Sequence, residues 1–172
     1  MRKHYFFFDI DGTLAAGPIM GRYIPESTKR ALEILKSEGH FLAICTGRLH
    51  AMGEGFMHEL GFQNMVADGG NSLTLDGEFL GIKPLDTQAC IDVIEECERL
   101  GVVWAISFDD SRRRWTRYAN YDALVHDSYM ETVVDPELDY RSIECFYKVY
   151  VICSPEEEGR IASLSKVPTA RF

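Results

Sequence analysis

The chain has 172 residues, of which 46% are hydrophobic and 26% charged, a composition that can bury a core and that excludes a disordered chain. Its formal net charge of −9 argues against nucleic-acid binding, because a polyanionic backbone repels an acidic protein. The five cysteines contain no C-x-x-C pair, which argues against a disulfide framework or a zinc site. The sequence has no run of about 18 apolar residues that could span a membrane. A cytoplasmic protein is expected.

The first half of the chain alternates predicted strands and helices. The apolar aromatic run Tyr5-Phe6-Phe7-Phe8 predicts a central strand buried on both faces. Helical spacing follows over residues 27–37, a strand over 41–45, a second helix over 49–60 and a short strand over 65–67. Strands separated by single helices predict a parallel α/β sheet.

The pattern changes after this sheet. Residues 72–82 alternate around Asp76-Gly77, which predicts a β-hairpin. Beyond it we expect a helix over 86–100, strands over 102–108, around Trp115 and over 147–153, a helical stretch over 121–132, and a last helix from Pro155. The boundary near Pro84 divides the chain into residues 1–84 and an α+β part, residues 85–172.

Two acidic side chains follow the first predicted strand. Asp9 and Asp11 stand at positions i and i+2 of an extended segment, so they share a side, where one carboxylate can attack and the other can move protons. Gly12 allows the tight turn that follows and lets backbone amides face phosphate oxygens. A carboxylate that attacks a phosphate dianion calls for a hard cation such as Mg²⁺, held by oxygen ligands.

The end of the second strand carries Thr46-Gly47-Arg48. A hydroxyl and a backbone amide can hold a phosphoryl oxygen there, and the guanidinium supplies positive charge. Because the carboxyl ends of parallel strands lie at one edge of a sheet, both segments are expected to meet in one site.

The motif D-x-D-G-T-L (Asp9 to Leu14), followed by T-G-R (Thr46 to Arg48), resembles the haloacid dehalogenase superfamily. The short spacing between the motifs leaves no room for a cap there and resembles the Cof-type branch of sugar-phosphate phosphatases, whose type IIB cap follows the third strand. That branch has an N-G-A-like turn after this strand, and Asp68-Gly69-Gly70 stands in its place. The resemblance implies a Rossmann-like parallel-sheet core, residues 1–84, with an inserted α+β cap, residues 85–172.

The resemblance also implies the roles of the site residues. Asp9 becomes an aspartyl-phosphate, Asp11 protonates the leaving group and later activates water, and Thr46 holds the phosphoryl group. The Asp9 carboxylate and the Asp11 carbonyl ligate Mg²⁺. The implied substrate is a small phosphorylated metabolite, such as a sugar phosphate.

The resemblance leaves two parts of the site unfilled. Family members also carry a charge-balancing lysine and an acidic G-D-x-x-x-D motif, and neither stands in its expected position, so the chain resembles a C-terminally truncated member that is inactive alone. An alternative is that Lys83 and the pair Asp109-Asp110 complete the site, as in capless members. The basic run Arg112 to Arg114 is interpreted as a solvated turn, with anion binding as the alternative.

Two further functions remain open from the sequence. A non-catalytic phosphate-binding or regulatory remnant would keep the first half of the site without turnover. A phosphomutase would share the Asp9 chemistry and move phosphate within one sugar without net release.

Overall fold

A computed structural model of the chain describes residues 2–18, 21–125 and 129–164. The chain divides into two compact units, Met1–Ile82 and Lys83–Phe172, and the division falls two residues before the boundary expected from the sequence. Each unit contains its own sheet and its own cluster of buried apolar side chains.

The first unit contains a five-stranded sheet with the order β1-β2-β3-β4-β5. The strands are β1 (Tyr5–Phe8), β2 (Phe41–Cys45), β3 (Met65–Ala67), β4 (Ser72–Leu75) and β5 (Glu78–Ile82). The first three strands are parallel, and Phe8 lies opposite Ile44 in the register. The chain segments that leave β1 and β2 therefore start side by side at one edge of the sheet.

Two helices connect the parallel strands, α1 (Glu26–Ser37) and α2 (His50–Glu59). Leu32 of α1 and Met57 of α2 pack with the strand residues Ile44 and Met65 in the core of this unit. Both helices end where a glycine adopts a positive φ shortly after the last turn, at Gly39 and Gly61, a conformation that side chains disfavour. The predicted fold class, a Rossmann-like parallel-sheet core with an α+β part, is confirmed.

The position of β1 differs from the sequence prediction. The strand lies at the edge of the five-stranded sheet, and Tyr5 and Phe7 are 64% and 59% exposed, whereas Phe6 and Phe8 pack on the core. An aromatic run does not by itself reveal how many layers cover it, so the expectation of a central strand buried on both faces was wrong here.

The hairpin of β4 and β5 is confirmed. Asp76 and Gly77 both have positive φ, 51° and 82°, as the two central residues of a type I′ turn require. The Asp76 amide also donates a hydrogen bond of 2.9 Å to the buried Asn64 side chain, which joins the turn to the preceding loop.

The second unit contains an antiparallel-rich sheet with the order β8-β7-β6-β9. Its elements are α3 (Thr87–Leu100), β6 (Val103–Ser107), β7 (Arg113–Thr116), α4 (Tyr121–Val125), β8 (Glu131–Val134), β9 (Lys148–Ile152) and α5 (Pro155–Leu164). Asp86 caps α3 by accepting the Ala89 amide at 2.8 Å, and Gly101 ends the helix in the left-handed conformation. In the described part of the chain, no helix combines the length and apolar character needed to cross a membrane.

Two expectations for this unit were wrong. The predicted helical stretch over residues 121–132 is a helix only over Tyr121–Val125, and Glu131–Val134 is a strand, because the β-branched Thr132-Val133-Val134 pairs in parallel with β7; residues 126–128 lie outside the described residues. The basic run is not wholly solvated, since Arg114 is 1% exposed and donates to the Thr132 hydroxyl at 2.8 Å.

Candidate active site

The segment after β1 forms a tight loop that presents two carboxylates. The Gly12 amide donates to the Ala15 carbonyl at 3.0 Å and the Ala15 amide to the Ile10 carbonyl at 2.8 Å, with Gly12 at φ 82°. A side chain at Gly12 would disfavour this backbone conformation. The Asp9 carboxylate is exposed and makes no hydrogen bond or ion pair within the described residues, which leaves its oxygens accessible.

The segment after β2 places Thr46 beside the end of β3. The Thr46 amide donates to the Val66 carbonyl at 2.9 Å, and the side chain is buried. Its hydroxyl oxygen accepts the Arg48 amide at 3.2 Å. Because this contact uses a lone pair and not the hydroxyl proton, the proton remains available to an oxygen of a ligand.

Arg48 joins the two strand ends. Its Nε and Nη2 atoms donate to the two Asp11 carboxylate oxygens at 2.9 and 2.7 Å, a bidentate pair. The guanidinium also lies over the Phe56 ring of α2, 5.1 Å from its centroid. Because the planar guanidinium contacts the Phe56 ring and donates to both Asp11 oxygens, it fixes the orientation of the Asp11 carboxylate.

Arg22 is a second cation at this carboxylate, with which it forms an ion pair. Sequence reasoning missed Arg22, because a single arginine in the loop between β1 and α1 carries no motif. It also missed the contacts of Asp68, although the Asp-Gly-Gly sequence after β3 was a visible departure from the family pattern.

The structure therefore brings several of the expected residues together. One group, Thr46, Gly47 and Arg48, follows β2. The other group, Asp9, Asp11 and Gly12, follows the adjacent β1, and the Arg48–Asp11 pair connects the two groups. Within the described residues there is no group of three or more His, Cys, Asp or Glu side chains placed to hold a metal ion. The Asp9 carboxylate is an accessible oxygen donor at this edge.

The alternative in which Lys83 and Asp109-Asp110 complete the site is wrong in its geometry. That hypothesis requires the strand before the acidic pair to extend the parallel sheet, but β6 pairs antiparallel with β7 and β9 in the other sheet. Asp109 and Asp110 lie in the turn from β6 to β7, where Asp109 accepts the Ser111 hydroxyl at 2.5 Å and faces Arg113 at 3.9 Å.

Comparison with known proteins identifies the family. A model of haloacid dehalogenase-like hydrolases matches residues 6–162, and the chain belongs to this family. A curated relative, "Putative phosphatase YkrA" from Bacillus subtilis, is 22% identical over 179 residues, covering 100% of this chain and 66% of the relative.

Solved structures share the fold. The phosphatase BT1666 of the same superfamily, from Bacteroides thetaiotaomicron, has a TM-score of 0.77 at 19% identity, covering 100% of this chain and 64% of that protein. The subclass IIB sugar phosphatase BT4131 has a TM-score of 0.69 at 21% identity, covering 94% of this chain and 63% of that protein. The chain thus spans slightly less than two thirds of the length of these relatives.

Proposed function

We propose that the protein is a Mg²⁺-dependent phosphatase of small phosphorylated metabolites, sugar phosphates among them, that works through an aspartyl-phosphate on Asp9. The observation that carries the proposal is the bidentate Arg48–Asp11 pair beside the unpaired Asp9 carboxylate. One carboxylate is accessible for attack, and its neighbour is oriented for proton transfer, which is the division of labour that two-step phosphate hydrolysis needs.

The proton-transfer step suits Asp11. Its carboxylate is paired with Arg48 and Arg22, which hold it in one orientation. An incoming phosphate dianion competes for the same guanidinium groups and weakens their hold on Asp11. Asp11 then takes up a proton from solvent, gives it to the leaving oxygen, and later removes one from the attacking water.

The phosphoryl group is proposed to bind at the adjacent segments. The Thr46 hydroxyl donates to one oxygen, and the turn at Gly12, where a Cβ atom would meet no atom within 4 Å, leaves room beside Gly47 for the others. Arg48 supplies positive charge as charge builds up in transfer.

The charge of the site fits a divalent cation. Asp9 and Asp11 balance Arg22 and Arg48, so a bound phosphate leaves an excess of about two negative charges. The Asp9 carboxylate and the Asp11 carbonyl are hard oxygen donors of the kind that hold Mg²⁺ together with water and substrate oxygens. When bound, the ion would neutralise the charge of the phosphoryl oxygens.

The second unit is proposed to be the cap that selects the substrate. The core would then be residues 1–84 and the cap residues 85–172, and the protein would act in the cytoplasm. The description of BT4131 as a sugar phosphatase supports sugar phosphates as the substrate class. We expect residues 1–172 alone to be inactive, because the described residues contain no group of three or more His, Cys, Asp or Glu side chains placed to hold a metal ion.

A second candidate is a phosphate-binding module without turnover. The same incomplete set of metal-ligating side chains in the described residues favours it. It predicts that phosphate binds at the Thr46–Arg48 segment while no phosphate ester is hydrolysed by the protein in its natural length.

The test is a phosphate-release assay on the natural-length protein with Mg²⁺ and a panel of sugar phosphates, comparing wild type with Asp9→Asn. The substitution removes the attacking carboxylate with almost no change in volume, so turnover should fall by about 10³-fold or more. Asp76→Asn, in the exposed hairpin turn, is the matched control and should match wild type. An Asp9→Asn variant with wild-type turnover would refute the mechanism.

A further inference from the structure

Asp68 has an unusual backbone conformation next to the candidate site. In the described part of the chain, Asp68 and Asp76 are the only non-glycine residues with a positive φ, and Asp68 has φ 54°. The hairpin turn explains Asp76, but Asp68 stands at the end of β3 and is buried, 6% exposed. A non-glycine residue that is held in this region marks a place where the surrounding structure imposes the conformation.

The backbone of this turn is bonded to the Thr46–Arg48 segment. The Asp68 amide donates to the Arg48 carbonyl at 2.7 Å, and the Gly69 amide lies 3.4 Å from the Thr46 carbonyl. These contacts extend beyond the paired residues of β2 and β3, so they hold a stretch of loop that the sheet itself does not fix.

The Asp68 carboxylate holds the other end of the same segment. Its Oδ2 atom accepts the amide of His50, the first residue of α2, at 3.0 Å. This amide has no acceptor inside the helix, and a negative charge is favourable at a helix N-terminus. The His50 ring stacks on Phe79 with centroids 3.9 Å apart, so the start of α2 is also packed against β5.

The two sets of contacts leave little freedom to the residues between them. Thr46 is bonded to β3 through its own amide, and Asp68 holds the Arg48 carbonyl and the start of α2. The Arg48 guanidinium projects from this fixed stretch to Asp11, and the Thr46 hydroxyl accepts the Arg48 amide within it. Displacement of such groups by about 1 Å is enough to weaken binding of a ligand about tenfold or more.

We propose that Asp68 is a positioning residue that sets the Thr46–Arg48 segment in place to bind the phosphoryl group. The inference rests on the proposed phosphate site and deepens it. Asp68 acts through its hydrogen bonds to Arg48 and His50 and does not touch the reacting atoms. The hydrogen-bond acceptor, and not the negative charge alone, carries the effect.

The experiment titrates the natural-length protein with inorganic phosphate in the presence of Mg²⁺ and measures the dissociation constant, with the melting temperature of each variant. Asp68→Gly removes the acceptor and tolerates the positive φ, so phosphate should bind about tenfold more weakly. Asp68→Asn keeps an acceptor at the same place and is expected to restore affinity to within about threefold of wild type. Asp76→Gly makes the same backbone change in the hairpin and should leave the affinity unchanged.

Asp68→Glu provides a second variant should the glycine variant fail to fold. It keeps the charge but moves the carboxylate by one methylene, and it should weaken phosphate binding as Asp68→Gly does. Wild-type affinity in the glycine or the glutamate variant would overturn the inference while leaving the proposed function intact. A loss of phosphate affinity in Asp68→Asn or in Asp76→Gly equal to that in Asp68→Gly would also overturn the inference. Absence of phosphate binding by the wild-type protein would instead refute the proposed site itself.

Discussion

The Arg48 guanidinium connects the ends of two strands through two hydrogen bonds to Asp11, at 2.9 and 2.7 Å. Its side chain is 15% exposed, so the pair is shielded from water more than a surface ion pair is, and its attraction is correspondingly less screened. A lysine would keep the charge but could not make both hydrogen bonds with one planar group.

Arg48→Lys should therefore lower kcat/KM by about 10- to 100-fold in the natural-length protein, because the Asp11 carboxylate loses its fixed orientation. Steady-state kinetics on a phosphate monoester measure the effect. Arg141 provides the control, since its Nε and Nη2 atoms both donate to Oε1 of Glu95 in the second unit, and Arg141→Lys should change kcat/KM less than twofold. Equal losses in both variants would show that Arg48 has no special role.

The sequence predicted the residues that motifs carry and missed those that act through contacts. Asp9, Asp11, Thr46 and Arg48 stand beside strand ends, and the order of elements alone places them at one edge of the sheet. The ion pair of Arg22 depends on the path of a loop, which has no periodicity to predict it.

At the scale of elements, α2 begins at the candidate site and packs closely on β3. Gly53 lies where the helix approaches the strand, and a Cβ atom there would stand 2.7 Å from the Met65 sulfur. Gly55 is on the exposed side of the same helix, where a Cβ atom would meet no atom within 4 Å. The two glycines therefore separate the effect of packing from that of helix propensity.

Gly55→Ala should raise the free energy of unfolding by about 0.5–1 kcal/mol, because alanine favours the helix more than glycine does. Gly53→Ala gains the same propensity but forces the buried Met65 to move, so we expect a net loss of about 1 kcal/mol. Urea unfolding followed by circular dichroism measures both values. An equal gain in the two variants would contradict the close packing of α2 on β3.

The elements were predicted best where local chemistry determines them. Asp76-Gly77 requires a specific turn whatever surrounds it, and the hairpin formed as expected. Residues 121–132 satisfied a helical pattern, yet Glu131–Val134 pairs with β7. A partner distant in sequence decides that outcome, and single-segment patterns do not contain it.

At the scale of the whole molecule, the cores of the two units differ in the ionisable side chains that they bury. The core of the second unit includes two thiols of α3, and burial raises the pKa of Cys90 and of Cys97 to about 12. In an unfolded chain these thiols ionise near pH 8.5. Because the folded pKa is raised, their contribution to stability is full below about pH 8.5 and is lost as the pH rises toward 12.

The second unit should therefore lose stability between about pH 8.5 and 12, by up to about 1.4 kcal/mol per pH unit for each thiol. Both tryptophans, Trp104 and Trp115, lie in this unit, so their fluorescence reports its unfolding in urea. Replacing Cys90 and Cys97 by alanine should flatten the pH dependence, and Cys45→Ala, at an exposed position, should not. Burial also raises the pKa of Tyr140 to about 12, so a shallower slope should remain in the double variant.

The central claim is that Asp9 receives the phosphoryl group. The most direct measurement mixes the natural-length protein with Mg²⁺ and a phosphate monoester, quenches the reaction in acid within milliseconds to seconds, and locates the modified residue by mass spectrometry after borohydride reduction. The reduced product should map to Asp9 and should be absent in Asp9→Asn. With an aryl phosphate, whose leaving group departs without protonation, it should accumulate in Asp11→Asn, whose water-activating carboxylate is removed. Steady release of phosphate with no acyl-phosphate at Asp9 in either wild type or Asp11→Asn would contradict the account.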